Sequence, residues 1–519
     1  MGEPLILTFD MGTQSARALL VDKHGAVVAM TQEKYEEPYY SKYPGWAEQK
    51  PDFYYHRLCR TGRELCKKNP EKLENIVAVT LTTIRDTALC LDEENRPLRD
   101  VILWLDKRQA DFKAPYPWWK RLLFWLIGMG DATRILYKAS PCNWIMQQEP
   151  EIWEKTAKFV MLPTYLNYKL TGVLADTPAN MIGHLPFDSK KRCWMTEKKL
   201  TRCLCDVPPE KLCPLIASGD TVGEITEEFS ALTGVPAGLP LIATGSDKGC
   251  ETLGLSVLTR DKASISFGTT ATIQFSVKKY FEPQRFLPAY PAVINDMYNP
   301  EIEIYRGFWL LSWFVREFAA VEAAEARARG CAPEQLLDSR IKNIPAGCDG
   351  LLLQPYWTPG ILKPDSMGAV VGYADYHGHL HMYRAIIEGI NLELYQALHI
   401  MQRRSGLRIR ELFVSGGGAG SDTVCRIAAD VFGLPVKRIQ THEACSIGSS
   451  MVAFVALGEF ESFEEATKAM VHVSREFLPN VNNHRVYMDI YDRAYSKIYP
   501  KLRPIYRSIN QILKKRRPR

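Results

Sequence analysis

Asp247 stands in the stretch Gly245-Ser246-Asp247-Lys248-Gly249, near the middle of a 519-residue chain. The apolar run Leu239-Pro240-Leu241-Ile242-Ala243-Thr244 before it has the length of a buried strand, and Cys250 to Val257 after it carries small and apolar residues at helical spacing. A carboxylate at a glycine-flanked strand end has open backbone around it and room for a ligand. Taken alone, it reads more readily as a turn aspartate capping the following helix. What lies on either side decides between the two.

Leu5 to Asp10 reads as a strand ending on a second carboxylate, Met11-Gly12-Thr13-Gln14-Ser15 as a turn, and Arg17 to Asp22 as the return strand. Backbone N–H groups of such a turn can converge into an anion-binding concavity, with the Thr13 and Ser15 hydroxyls as further donors. The pattern recurs: Ala263 to Phe267, the turn Gly268-Thr269-Thr270, then Ala271 to Val277. Two such hairpins suggest two similarly built halves facing each other across a cleft, and phosphate-cradling turns on opposite walls suit a polyphosphate. A third glycine element follows the strand Glu411 to Ser415: Gly416-Gly417-Gly418-Ala419-Gly420, with Ser421-Asp422 capping a helix through Phe432. Its bare main chain would let a flat ring or a phosphate lie close, or would simply make a tight strand–helix turn. It is not G-x-G-x-x-G, so the dinucleotide fingerprint is not met.

The elements that hold these residues need more than one core, since 519 residues predict two to four domains. A hydrophobic fraction of 46% with 24% charged residues is that of a soluble globular chain. The net charge of +6 is small for this length and gathers at the end, where Lys514-Lys515-Arg516-Arg517 and Arg519 follow a tail with no acid after Asp492. That tail reads as a solvated terminus, with a nucleic-acid or membrane-surface role as the minor alternative. No basic stripe interleaved with aromatics runs through the body, so nucleic acid is not an expected partner. Thirteen scattered cysteines lack zinc-site spacing and read as free thiols in a reducing compartment. No signal peptide is evident, and the apolar run Leu122 to Gly130 is well short of a membrane span, so a cytoplasmic protein with no membrane partner is expected.

In this order and spacing the motifs resemble those of the FGGY family of carbohydrate kinases, over nearly the whole length from Leu5 to about Gly458. Asp10 to Arg17 resembles the family's first phosphate motif, Trp104-Leu105-Asp106-Lys107-Arg108 its W-x-D-x-R segment, and Tyr168-Lys169-Leu170-Thr171-Gly172 its K-L-T-G turn. Asp247 falls where the family keeps its catalytic aspartate, and Phe267-Gly268-Thr269 where it keeps the second phosphate motif. Pro364-Asp365 and Gly368 resemble a late loop, His381 to Gly389 the signature helix, and Gly417-Gly418-Ala419 with Ala429-Asp430 the adenosine motif. The sequence departs from the family in lacking a Lys around Asn143-Trp144 and in placing Tyr373 at a usually aliphatic position. The segment Asp111 to Pro141, with Trp118, Trp119, Phe124 and Trp125, is unusually aromatic; it reads as a helical packing or subunit-contact insert, with a lid or sugar wall as the alternative.

The resemblance implies an α/β fold of two actin-like, ribonuclease H-like ATPase domains flanking a central cleft. A sugar-binding domain would span 1–256, a nucleotide-binding domain 257–475, and a helical extension with a basic tail 476–519. The implied reaction is ATP-dependent phosphorylation of a hydroxyl of a small sugar or polyol: a ketopentose such as xylulose or ribulose, or a polyol such as glycerol or erythritol. Phosphoryl transfer needs alignment, charge neutralisation and exclusion of water rather than covalent help from the protein. Asp247 would be the general base. Asp10 and Asp247 would hold Mg²⁺. Gly12, Thr13, Gln14, Ser15 and Arg17 would take the transferring phosphate, and Gly268 and Thr269 the polyphosphate. Gly417, Gly418, Ala419 and Asp422 would seat the adenosine. Arg85, Asp86, Trp104, Asp106, Asp247 and Lys248 would contact the acceptor; the Arg85-Asp86 pair resembles the Arg-Glu pair of glycerol kinases more than the Met-His of xylulokinases. Lobe closure, hinged near Leu253 to Asp261, would exclude water. A homodimer is expected only by the resemblance. An actin-like ATPase of another class and a non-catalytic sugar-binding paralogue are the rival readings.

Overall fold

The computed structural model describes residues 2–113, 115–284, 287–360 and 363–516. Two six-stranded sheets on one plan dominate it. The first is built from β1 (Leu5–Met11), β2 (Ser15–Asp22), β3 (Val27–Lys34), β4 (Ile76–Thr83), β5 (Thr221–Glu224) and β6 (Pro240–Ile242), in the order β5-β6-β4-β1-β2-β3. The second is built from β7 (Lys262–Phe267), β8 (Ala271–Gln274), β9 (Glu301–Ile304), β10 (Glu411–Ser415), β11 (Val436–Ile439) and β12 (Val473–Phe477), in the order β9-β8-β7-β10-β11-β12. Each sheet runs as an antiparallel meander of three strands, then two strands parallel to the first, then an antiparallel edge.

Burial explains the sequence of each strand. β1, LILTFDM, lies at the centre between β2 and β4, and all seven residues are buried. A strand covered on both faces reads as a continuous apolar run. β3, VVAMTQEK, is an edge strand and alternates half-buried with exposed positions, the signature of a strand with one wet face. The first hairpin turn is tighter than the sequence suggests, because β2 starts at Ser15 rather than Arg17 and Gly12 N–H donates to Ser15 O at 3.0 Å. A smaller four-stranded sheet, ordered Glu48–Gln49, Val101–Ile102, Ala88–Leu91, Lys158–Met161, carries the segments between β3 and β5. Against it the aromatic insert folds as two helices, Trp118–Leu126 and Gly130–Ala139. The Lys514 to Arg519 run cannot be placed, since the side chains of 514–516 and all of 517–519 lie outside the described residues. Among the described residues no helix is long and apolar enough to cross a membrane.

Two helices tie the lobes together: α1 (Asp247–Gly254), which follows β6, and α2 (Ala444–Ala456), which follows β11. Although α2 comes late in the chain, Ile447, Met451, Val452, Ala453 and Phe454 share a core with Ile6, Leu19, Ala78 and Ile242 of the first sheet and with Cys250 and Leu253 of α1. The polar small residues of α2 are satisfied there: Ser450 Oγ lies 3.0 Å from Thr8 Oγ1, which lies 2.9 Å from Thr80 Oγ1. A Cβ on Gly254 would collide with the Ala444 carbonyl, and one on Gly448 with the Cys250 carbonyl. Backbone meets backbone at this crossing, so neither helix can move without the other. Gly448→Ala is therefore expected to destabilise the protein by about 1–3 kcal/mol, as overpacking of a dense core does. Chemical denaturation of Gly448→Ala beside Gly458→Ala checks it; Gly458 has no neighbour within 4 Å of its Cβ position but a φ of 77°, so a loss no larger than this backbone control contradicts the packing argument.

Candidate active site

Asp247 is the first residue of α1, and Ser246 caps that helix, its hydroxyl accepting from Gly249 N–H. The carboxylate is partly open to solvent, and Arg85 Nε stands 3.8 Å from its Oδ1. Burial pushes the Asp247 pKa up, with Arg85 and Lys248 opposing it, and the net shift is upward. A carboxylate so poised is a stronger proton acceptor than an ordinary aspartate. Lys248 reaches from α1 to the other lobe, bonding Ser266 Oγ of β7 at 2.7 Å and Glu251 Oε2 at 3.0 Å.

Asp10 ends β1 beneath the first hairpin turn, accepting from Arg17 Nη1 at 3.0 Å and Thr82 Oγ1 at 3.2 Å. Arg17 is shared with Glu443 at 3.6 Å, one residue before α2. Burial, then the Asp10 charge, with a smaller push from Asp247, drives the Cys445 thiol up, so both carboxylates act on one point. Among the described residues no cage of three or more His, Cys, Asp or Glu side chains exists. Two carboxylates without a cage fit a magnesium ion, which keeps waters and binds substrate phosphates.

In the first turn Gly12 and Thr13 are half-buried, Gln14 is exposed and Ser15 is buried. Trp104 Nε1 donates to Thr13 Oγ1 at 3.2 Å, which joins the W-x-D-x-R segment to the phosphate turn. In the second turn Gly268 is half-buried and accepts from Phe308 N–H at 3.0 Å, and Thr269 is exposed. Of the third glycine loop, Gly417 is open, whereas Gly418 packs so tightly on Phe308 and Phe267 that a Cβ would clash, and Ala419 is buried. The absent side chain of Gly418 thus serves packing against the second hairpin. Asp422 begins the next helix, capped by Ser421, and pairs with Arg438 at 2.8 Å and Arg475 at 2.5 Å.

Asp106 is not brought to the open cleft with the others. Its enclosed carboxylate accepts from Ala47 N–H, from the Arg108 backbone and from the Arg108 guanidinium at 2.8–2.9 Å. Arg108 lies 3.8 Å over the Trp46 ring and 4.7 Å over Trp144. Tyr373 is exposed.

The structure adds Glu301, Glu303 and His184, which the sequence reading missed, beside Arg85 and Asp86, which it named. Arg85 Nη2 and Nη1 bond Glu301 at 2.9 and 3.3 Å, linking the loop after β4 to the first residue of β9 in the other lobe. Glu303, two residues on, is pushed up to about 7, by burial first and then by Glu301. Asp86, at φ 48°, accepts from His184 N–H at 3.0 Å and lies 2.9 Å from His184 Nδ1. The alternation Glu301-Ile302-Glu303-Ile304 was a legible signal of a strand with one acidic face. His184 had none.

Two family models cover most of the chain. The N-terminal domain model of the FGGY family of carbohydrate kinases matches residues 5–254, and its C-terminal domain model matches residues 263–457. The chain belongs to the FGGY family of carbohydrate kinases. It is 26% identical over 512 residues to a xylulose kinase of Bacillus subtilis, covering 95% of this chain and 96% of that one. A xylulose kinase structure from Rhodospirillum rubrum superposes with a TM-score of 0.81 at 23% identity, covering 97% and 100%. A gluconate kinase structure from Lactobacillus acidophilus does so at 0.82 and 20%, covering 98% and 100%. The two sheets are accordingly the paired actin-like ATPase units of FGGY kinases, and the protein is an α/β sugar kinase with ATP as phosphate donor.

Within this FGGY kinase the His184–Asp86 pair is open to direct test. Burial pulls the His184 imidazolium down, but the Asp86 charge and hydrogen bonds outweigh it and hold its pKa above the ordinary value. The pair's contribution to stability is therefore complete below the unfolded histidine pKa and is lost as pH rises through the raised folded value. NMR titration should find His184 protonated to higher pH than a free histidine, and Asp86→Asn should bring it below that reference. An unchanged His184 titration in Asp86→Asn contradicts the pairing.

Proposed function

We propose that this enzyme phosphorylates a hydroxyl of a neutral ketose or polyol, with Asp247 as general base. The placement of Asp247 carries the reading: a partly open carboxylate of raised pKa at the head of α1, 3.8 Å from Arg85 and beside the bridge to β9. The acceptor oxygen attacks the γ-phosphorus as its proton passes to the Asp247 carboxylate, and the bond from phosphorus to the departing ADP oxygen breaks. Thr13 and the Gly12–Ser15 turn would receive the phosphate beside Asp10, and Gly268-Thr269 would take the polyphosphate from the other lobe. Asp10 and Asp247 would hold magnesium, which supplies positive charge to the phosphate oxygens. Lys248, bonded to Ser266 across the lobes, helps hold the walls together and exclude water.

The charges around Asp247 support a neutral acceptor. Both terminal nitrogens of Arg85 are engaged by Glu301, so the guanidinium is not free to clamp a substrate carboxylate. Asp86 and Glu301 add negative charge to the same wall, and Glu303, pushed up to about 7, adds a partial charge at neutral pH. Carboxylates accept hydrogen bonds from vicinal hydroxyls but repel an anionic acceptor. An uncharged ketose, such as the xylulose for which one similar protein is named, suits this wall better than the anionic gluconate for which another is named.

An ATP-coupled screen over ketopentoses, tetritols, pentitols, glycerol and aldonates tests the reading. Turnover is expected with a neutral acceptor and not with an aldonate, and Glu303→Gln should raise aldonate use relative to neutral acceptors. Asp247→Asn should lower kcat by about 10²–10⁴-fold, the usual worth of a general base, while nucleotide binding persists. Because the Asp247 pKa is raised, kcat/KM should fall as pH drops through a value above the ordinary aspartate range. Sugar binding without turnover would favour a non-catalytic paralogue. ATP consumption indifferent to every sugar and polyol would favour another actin-like ATPase.

A further inference from the structure

The helix Trp118–Leu126 is anchored by one face and otherwise bare. Phe124 is its single buried residue and meets Tyr116 edge-on at 5.6 Å, and Tyr116 in turn packs against Tyr137 and Phe112. Trp118 is 75% and Trp125 70% exposed, and Trp119, Leu122, Leu123 and Leu126 are exposed with them. Trp118, Leu122 and Trp125 follow one another at i, i+4 and i+7, so they form one ridge. A monomer rarely leaves so large an apolar patch in water without a use for it.

Charge selects the occupant. Between Asp111 and Asp131 the sequence holds Lys113, Lys120 and Arg121 and no acid. None of the three forms an ion pair among the described residues, and Lys120 Nζ lies 5.5 Å over the Trp119 ring. In a two-fold contact between copies this helix would meet itself, Lys120 and Arg121 against their counterparts, with no carboxylate on the helix to pair them. A second exposed apolar stripe, Ile505, Ile509, Ile512 and Leu513 on helix Ser496–Arg516, lies in a stretch with no acid after Asp492 and does not supply the missing charge. A surface that is both apolar and anionic satisfies the helix: tryptophan bodies enter the interface, their N–H groups stay with the headgroups, and Lys120 and Arg121 meet lipid phosphates.

The geometry points to the Trp118–Leu126 helix as a docking element for an anionic phospholipid surface. It lies on the membrane rather than crossing it, and it holds the kinase there without using any residue of the cleft. This goes against the sequence expectation of no membrane partner.

Flotation of the full-length protein with vesicles tests the assignment. Vesicles of phosphatidylcholine and phosphatidylglycerol in equal parts should bind it, with a blue shift of tryptophan fluorescence, and high salt should release it. Pure phosphatidylcholine should bind on the order of tenfold less, and so should W118A/W125A and K120E/R121E on mixed vesicles. The variants should keep the melting temperature and kinase activity of the parent, which separates this test from that of the sugar-kinase reading. No binding to mixed vesicles overturns the proposal. So does binding that survives in W118A/W125A, which would assign it to the basic tail, or a dimer that W118A/W125A dissolves without any vesicle binding.

Discussion

Everything at the centre of this molecule depends on two helices approaching until main chain meets main chain. Gly254 and Gly448 each face a carbonyl of the other helix, where a single methyl group would not fit. α1 carries Asp247 at its head, and α2 follows β11 of the second sheet yet packs beneath the first. The crossing fixes the Asp247 carboxylate relative to both sheets, although the residues that make it are distant in sequence. Dense packing transmits such a constraint because it leaves no room for one helix to shift alone.

Electrostatics at the open side complete what packing begins. Arg85 is a shared cation: it holds Glu301 of the second lobe bidentately and stands beside Asp247 of the first. Fixed two-point bonding of this kind orients as well as attracts. Lys248 crosses between the lobes in the same way, reaching Ser266. These links are few and polar, whereas the helix crossing is apolar and tight.

Local chemistry made much of this legible. Ser421 caps the helix Asp422–Phe432 as its sequence announces, and both Gly-Thr turns join antiparallel strands of matching sheets. The small residues of α2 predict close packing, and they are the ones at the glycine crossing. What stayed hidden came from distance and from competition for partners. His184 is 98 residues from Asp86, and nothing in either neighbourhood points to the other. Asp106 looks like a ligand to the acceptor in its motif, but the Arg108 clamp between Trp46 and Trp144 engages its carboxylate. Asp365, read as part of a late loop, holds Arg503 and Arg507 of the C-terminal helix. A carboxylate's role is set by which cation reaches it, and that is a property of the fold.

The central claim is that Asp247, and no other carboxylate of the cleft, takes the proton of the attacking hydroxyl. A crystal structure with a non-hydrolysable ATP analogue and an accepted acceptor tests it most directly. The account predicts the hydroxyl in line with the γ-phosphorus and about 2.6–3.2 Å from the Asp247 carboxylate. An in-line hydroxyl bonded instead to Asp10, Asp86 or Glu303, with Asp247 turned away, would contradict it.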